Sequence, residues 1–400
     1  MDVLFCSFYC NSKVTVYYNV QKIFKFFFSF KTLQSMFKNL LIQFRLFSSS
    51  NRHFSSKIFS SKMALSPKES GEFIVKNAKH LTVSEDGIKN LANQIVAAIT
   101  DQTLSINNFS QIKFHPKSTD DFALNWIFLI DTLNFCFWTP DKQPQKWKVE
   151  GESGYFALCA AINRAQKEGI DVTNPKFYSK ITLEQLDGIL RPDDGVTKAP
   201  LLEDRVKCLH DVGTKLLDKY NGKFENVVLK ASGSAKKLLE IIVDEFPCFR
   251  DEAEYRDKRV SILKRAQILV GDVYACYRGE GIGKFDDIDD EITMFADYRV
   301  PQVLVHFGSL TYSDELMQEL KDDKILMNGE EKEVEIRGAS IYIVEKAKEI
   351  VRQMLKAKDP KLCLKNVNSI LIDHFLWDYR RANAEMLTYV PFHKTFSVYY

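Results

Sequence analysis

Four hundred residues suffice for a substantial buried core and for two lobes, and eight cysteines without one Cys-x-x-Cys pair argue against a structural zinc or a disulfide frame. The formal charge of +2 hides an uneven distribution. Residues 1–62 carry nine Lys or Arg against the single Asp2, which leaves 46 basic and 52 acidic side chains over 63–400, and a body at −6 lacks the basic patches that nonspecific binding to nucleic acid requires.

The first 62 residues are rich in Phe and Ser and poor in acids, the composition of a mitochondrial or plastid transit peptide. Lys13, Lys22, Lys25, Lys31, Lys38 and Arg45 interrupt every apolar run before the roughly 20 residues that a membrane span needs. No basic residue precedes the apolar run from Val3 to Cys10, which argues against secretion. Arg45-Leu46-Phe47-Ser48-Ser49-Ser50 is similar to a presequence processing region, and Met63 is equally eligible as the true start. The expected organisation is a disordered leader over 1–62 and an enzyme domain over 63–400. A cytoplasmic location is expected, or a mitochondrial one if the leader is a genuine transit peptide.

From there the chain reads as helices. Ser66-Pro67-Lys68-Glu69 offers an N-cap hydroxyl, Pro at the first helical position and a capping-box Glu, so a helix starts at Pro67. Ser84 caps a second, whose apolar face is Ile88, Leu91, Ile95 and Ile99. Residues 146–150 read as a strand that turns through Gly151 to Gly154 into a second at Tyr155 and Phe156. Thr182-Leu183-Glu184-Gln185 repeats the capping box. Amphipathic runs follow over 201–217, 235–246, 260–277, 301–307, 340–355 and 368–381, with one more short strand at 334–336. The fold class is mainly α, a compact two-lobed helical domain with a few short strands.

Asp297 is the leading catalytic candidate. It lies between Phe295 and Tyr298 on an apolar run, where a carboxylate held partly out of water acts strongly on a developing cation while a flat ring stacks on the aromatics. The alternative is a carboxylate that pairs with Arg299 or caps the helix near Pro301. Asp131, inside the apolar run Phe128 to Asn134, is the rival and reads better as an organiser of neighbouring groups. Asp373, His374, Trp377 and Asp378 lie within six residues of one helix, with His374 and Asp378 on one face. Gly279-Glu280-Gly281-Ile282-Gly283-Lys284 has neither the spacing nor the strand–loop–helix context of a phosphate loop. The acidic residues 286–291 read as a solvated turn rather than a metal loop.

Asn125 to Phe135, Phe295-Ala296-Asp297-Tyr298-Arg299, Glu335-Ile336-Arg337-Gly338, Asn368 to Tyr379 and Pro391-Phe392-His393, in this order, closely resemble the eukaryotic queuosine salvage family, as does the block from Ser153 to Ala165. The resemblance runs from about Ser66 to Tyr400. It implies a hydrolase that cleaves the N-glycosidic bond of queuosine 5′-phosphate and releases queuine for salvage into tRNA. It also implies a fold similar to helix-hairpin-helix DNA glycosylases, no metal or organic cofactor, a small-molecule nucleotide substrate, no direct nucleic-acid or membrane partner, and a monomer. Matched residue by residue, the family's substrate contacts fall on His115, Phe295, Asp297, Asp373, His374 and Asp378; at His374 the family is expected to carry an aromatic such as Tyr. The alternatives are a nucleic-acid base glycosylase and a noncatalytic helical binding protein in tRNA metabolism.

Overall fold

The computed structural model describes residues 64–104, 112–140, 146–365 and 367–400. The leader expected over 1–62 lies outside them. The element order is α1 (Pro67–Asn77), β1 (Leu81–Val83), α2 (Glu85–Thr100), α3 (Asp121–Leu133), β2 (Lys148–Val149), β3 (Glu152–Ser153), α4 (Tyr155–Lys167), α5 (Pro175–Tyr178), α6 (Leu183–Ile189), α7 (Leu202–Tyr220), α8 (Phe224–Lys230) and α9 (Ala235–Glu245). There follow β4 (Glu252–Tyr255), β5 (Lys258–Ser261), α10 (Lys264–Cys276), α11 (Ile288–Glu291), α12 (Val300–His306), β6 (Leu310–Tyr312), α13 (Asp314–Lys321), α14 (Glu331–Lys358) and α15 (Ser369–Ala382). The architecture is therefore mainly helical. No helix among the described residues is long and apolar enough to cross a membrane.

Local chemistry sets several of these boundaries. Ser66 and Glu69 form the capping box of α1, and Thr182 and Gln185 that of α6, each satisfying helix N–H groups that would otherwise lack acceptors. Asp287 and Asp289 are structural acceptors rather than members of a solvated turn. Asp287 accepts from the Ser234 hydroxyl and the Ala235 N–H (2.6 Å) at the start of α9, and Asp289 accepts from Asn368 at 3.0 Å.

Two apolar cores hold the helices together. The first gathers α3, α4 and α7 to α10 around residues such as Trp126, Phe128, Leu158, Phe246 and Leu269. The second gathers α1, α2, α12, α14 and α15 around Ile74, Leu91, Val303, Ile341 and Ile372. Each fully buried side chain of this kind contributes roughly 1.5–3 kcal/mol. The extended stretch before α12 belongs to both: Phe295 enters the first core, while Met294 and Ala296 enter the second. Close approach of α1 to α14 depends on glycine, because a Cβ at Gly338 would stand 2.4 Å from Ile74 Cδ1.

Three expectations fail for physical reasons. Tyr155 and Phe156 open α4 instead of a strand, since Gly154 (φ +63°) redirects the chain from the β2–β3 hairpin directly into helix. Residues 334–336 lie inside the 28-residue α14, where packing on α1 and α2 overrides the short β-branched run. The helix expected from residue 260 begins at Lys264, because 258–261 pair antiparallel with 252–255 across Arg256 and Asp257, both in the left-handed region.

Candidate active site

A cavity of about 150 Å³, a size that holds an aromatic ring, opens beside the stretch shared by the two cores. Phe295, Asp297, Tyr298 and Arg299 form one wall, and Asp373, His374, Trp377 and Asp378 of α15 form another. His115, Tyr155 and Phe156 face them from the first core. Every residue expected to touch substrate thus lines one space.

Asp297 has its two oxygens committed differently. Oδ1 accepts the Arg299 backbone N–H at 2.8 Å, which fixes the carboxyl plane, and Oδ2 lies 3.1 Å from the Nζ of Lys264, the first residue of α10. Asp297 thus does hold the turn into α12, as a carboxylate paired with Arg299 would, but its second oxygen faces a cavity and a buried cation. Burial pushes its pKa up, yet Lys264, Arg299 and the backbone bond outweigh burial and hold it below the ordinary carboxylate value. The result is an anion at the edge of an apolar cavity.

The buried cation is itself held in place. Arg337 donates to both oxygens of Asp251 (2.9 and 2.5 Å) and to Glu333 (3.0 Å). Asp251 in turn accepts the Lys264 backbone N–H at 3.1 Å, while Arg337 Nε reaches the Ala296 carbonyl at 3.4 Å. One guanidinium therefore ties together the backbones that carry Lys264 and Asp297, a structural reason for Glu335-Ile336-Arg337-Gly338. At the C-terminus, the Phe392 ring packs edge-on against Tyr298 at 5.2 Å, and His393 bonds the Tyr400 hydroxyl.

The α15 wall is set by burial. Asp373 is 5 % exposed and accepts the Phe295 N–H at 3.0 Å. Desolvation first, and then the charges of Asp297 and Asp378, lift its pKa well above the ordinary carboxylate value. Burial drives His374 down to about 4, leaving a neutral imidazole. Asp378 sits exposed at the rim. Opposite, His115 Nε2 meets the Tyr155 hydroxyl at 2.8 Å. The tip of the Phe295 ring presses so closely on α10 that a Cβ at Gly271 would stand 2.6 Å from its Cζ.

Asp131 does not line the cavity. It is fully buried behind it, with Oδ1 3.4 Å from Asn134 Nδ2 and its carbonyl accepting from Arg265 Nε at 3.1 Å, and desolvation pushes its carboxyl up to about 7. Lys264 and Asp272, both on α10 and both lining the cavity, escaped the sequence reading. Their only signal was a charged residue at each end of an i, i+4, i+8 stripe through Ile268. Among the described residues one His/Glu group, His80, Glu331 and Glu335, has metal-like spacing. It lies outside the cavity, and its carboxylates are occupied: Glu335 accepts from the Lys79 and His80 N–H groups and from the Tyr255 hydroxyl, and Glu331 pairs with Arg256.

A family model described as queuosine salvage protein matches residues 114–400. A queuosine 5′-phosphate N-glycosylase/hydrolase of Bos taurus is 42% identical over 341 residues, covering 84% of this chain and 99% of the relative. Relatives with the same description from Nematostella vectensis and the bacterium Sphaerobacter thermophilus are 39% and 33% identical, over 85% and 82% of this chain and 100% and 95% of their own lengths. With the Phe295 to Arg299 stretch, the Arg337 tie and the α15 wall all falling within the matched residues, the chain belongs to the queuosine salvage protein family.

Proposed function

We propose that this protein hydrolyses the N-glycosidic bond of queuosine 5′-phosphate, taking up one water and yielding queuine and ribose 5-phosphate. The observation that carries the mechanism is the Asp297–Lys264 pair beside a ring-sized aromatic cavity. Departure of the base builds positive charge on C1′ and O4′, and a fixed carboxylate in a poorly solvated site stabilises that charge without reorganising. Lys264 keeps Asp297 ionised and aimed. Phe295 stacks on the 7-deazaguanine ring, and Asp373, whose pKa burial raises, faces the edge of that ring. His374, Asp378 and His115 complete the grip on the base, and Asp131 sets Asn134 behind the wall.

Arg299 has no carboxylate within ion-pair distance among the described residues. Its guanidinium lies 5.5 Å from the Tyr298 ring and 5.8 Å from that of Trp377, which makes it the cation available to the 5′-phosphate. The likeness to helix-hairpin-helix DNA glycosylases is supported by the helix-rich, two-core build, and action on a free nucleotide rather than on nucleic acid accords with the acidic body. Purified protein incubated with queuosine 5′-phosphate, the nucleoside and queuosine-containing tRNA side by side is expected to release queuine fastest from the nucleotide. A preference for tRNA with steep salt dependence would overturn the small-molecule reading.

A further inference from the structure

Helix α10 lays three side chains along the cavity one turn apart: Lys264, Ile268 and Asp272. Lys264 grips Asp297 at one end. Asp272 stands two turns away, about 12 Å along the axis, with Ile268 as an apolar step between them.

Asp272 is 8 % exposed, and among the described residues neither of its oxygens has a hydrogen-bond or ion-pair partner. Of its buried neighbours, Asp373 has the Phe295 N–H and Asp297 has Lys264, while Asp131 has Asn134 on one oxygen and no partner on the other. A buried carboxyl left without a donor is destabilising, and one that opens into a cavity can take its donor from a ligand. Burial first, and then the carboxyls of Asp131 and Asp373, raise its pKa well above the ordinary carboxylate value, and no cation is among the groups that act on it. This end of the cavity therefore complements a positive charge. A base whose glycosidic carbon sits at Asp297 and whose ring lies on Phe295 extends toward Asp272.

We propose that Asp272 receives the ammonium group of the aminomethyl arm on C7 of the substrate base. This rests on the activity proposed above. It assigns to α10 a specificity-determining contact at the end of the cavity opposite the reacting bond.

The test compares two small ligands with the same ring, 7-aminomethyl-7-deazaguanine and its neutral 7-cyano counterpart, by calorimetric titration of the full-length protein. Wild type should favour the amino compound at least about tenfold, the yield of a charge-assisted hydrogen bond in a desolvated site. Asp272→Asn should bind the cyano compound as wild type does and lose the preference, with Asp272→Ser as a second replacement and thermal melting as the control for folding. A wild type that does not discriminate overturns the assignment, as does a preference that survives in both Asp272 variants or vanishes instead in Asp378→Asn. If wild type releases queuine from the nucleotide and yet does not discriminate, only the Asp272 assignment falls; if it releases none, the activity falls with it.

Discussion

Lys264 and Asp297 meet at 3.1 Å, the lysine from the first residue of a helix in one core and the aspartate from the stretch that joins that core to the other. Lys264 is 4 % exposed at its side chain and Asp297 17 %, so the pair is poorly screened, and removing either partner leaves the other as an uncompensated charge.

Asp297→Asn, nearly isosteric, should melt lower because Lys264 loses its counter-charge, yet still fold and lose function. Loss of one preorganised charge aimed at the transition state lowers turnover by at least ~10²-fold. Queuine release and thermal melting, measured on the same preparation, check both halves; near-wild-type release would remove Asp297 from the mechanism.

Lys264→Met tests the pair from the other side. Lys264 is one of the groups that hold the Asp297 carboxyl below its ordinary value, so without it burial raises the pKa and the ionised form is lost at a higher pH. The acid limb of the kcat/KM profile should move upward by about one pH unit or more. An unmoved limb would show that the lysine does not set the charge on Asp297.

Asp131→Asn addresses stability. The folded-state pKa of Asp131, pushed up to about 7 by burial, lies above its unfolded value, so its contribution is intact below the ordinary carboxylate range and is lost as pH rises through about 7. An asparagine does not titrate. The variant should gain on wild type by about 2 kcal/mol between pH 5 and 7.5, read from melts across that range. A difference that stays flat with pH would mean that Asp131 titrates normally.

A chain beginning at Met63 should fold and turn over normally. The Leu65 N–H donates to the Arg259 carbonyl at 2.9 Å and Ser66 caps α1, so the described structure is anchored from its first residues. Collapse of activity on removing 1–62 would contradict this. Mass spectrometry of the native N-terminus separates a start at Met63 from processing near Ser48 after import.

What could be read in the sequence was chemistry confined to neighbours. The Ser66–Glu69 and Thr182–Gln185 boxes announce their helices because donor and acceptor lie three residues apart, and the α15 set Asp373, His374 and Asp378 shares one short stretch of helix. The β4–β5 hairpin stayed hidden because its turn uses Arg256 and Asp257 in place of the usual Asn-Gly. Lys264 and Arg265 show the limit most clearly. Adjacent, both cationic and both buried, one faces the cavity while the other donates to the carbonyls of Asp131 and Thr132, and only the packing of α10 decides which does which.

The alternation of Met294, Phe295 and Ala296 between the cores makes chain length here as constrained as residue identity. In extended backbone successive side chains point to opposite sides, so deleting or inserting a single residue ahead of Asp297 would turn Phe295 away from α10 and carry the carboxylate off Lys264, without altering one atom of either side chain. An in-frame gain or loss of one codon, tolerated in an exposed loop, would here silence the enzyme.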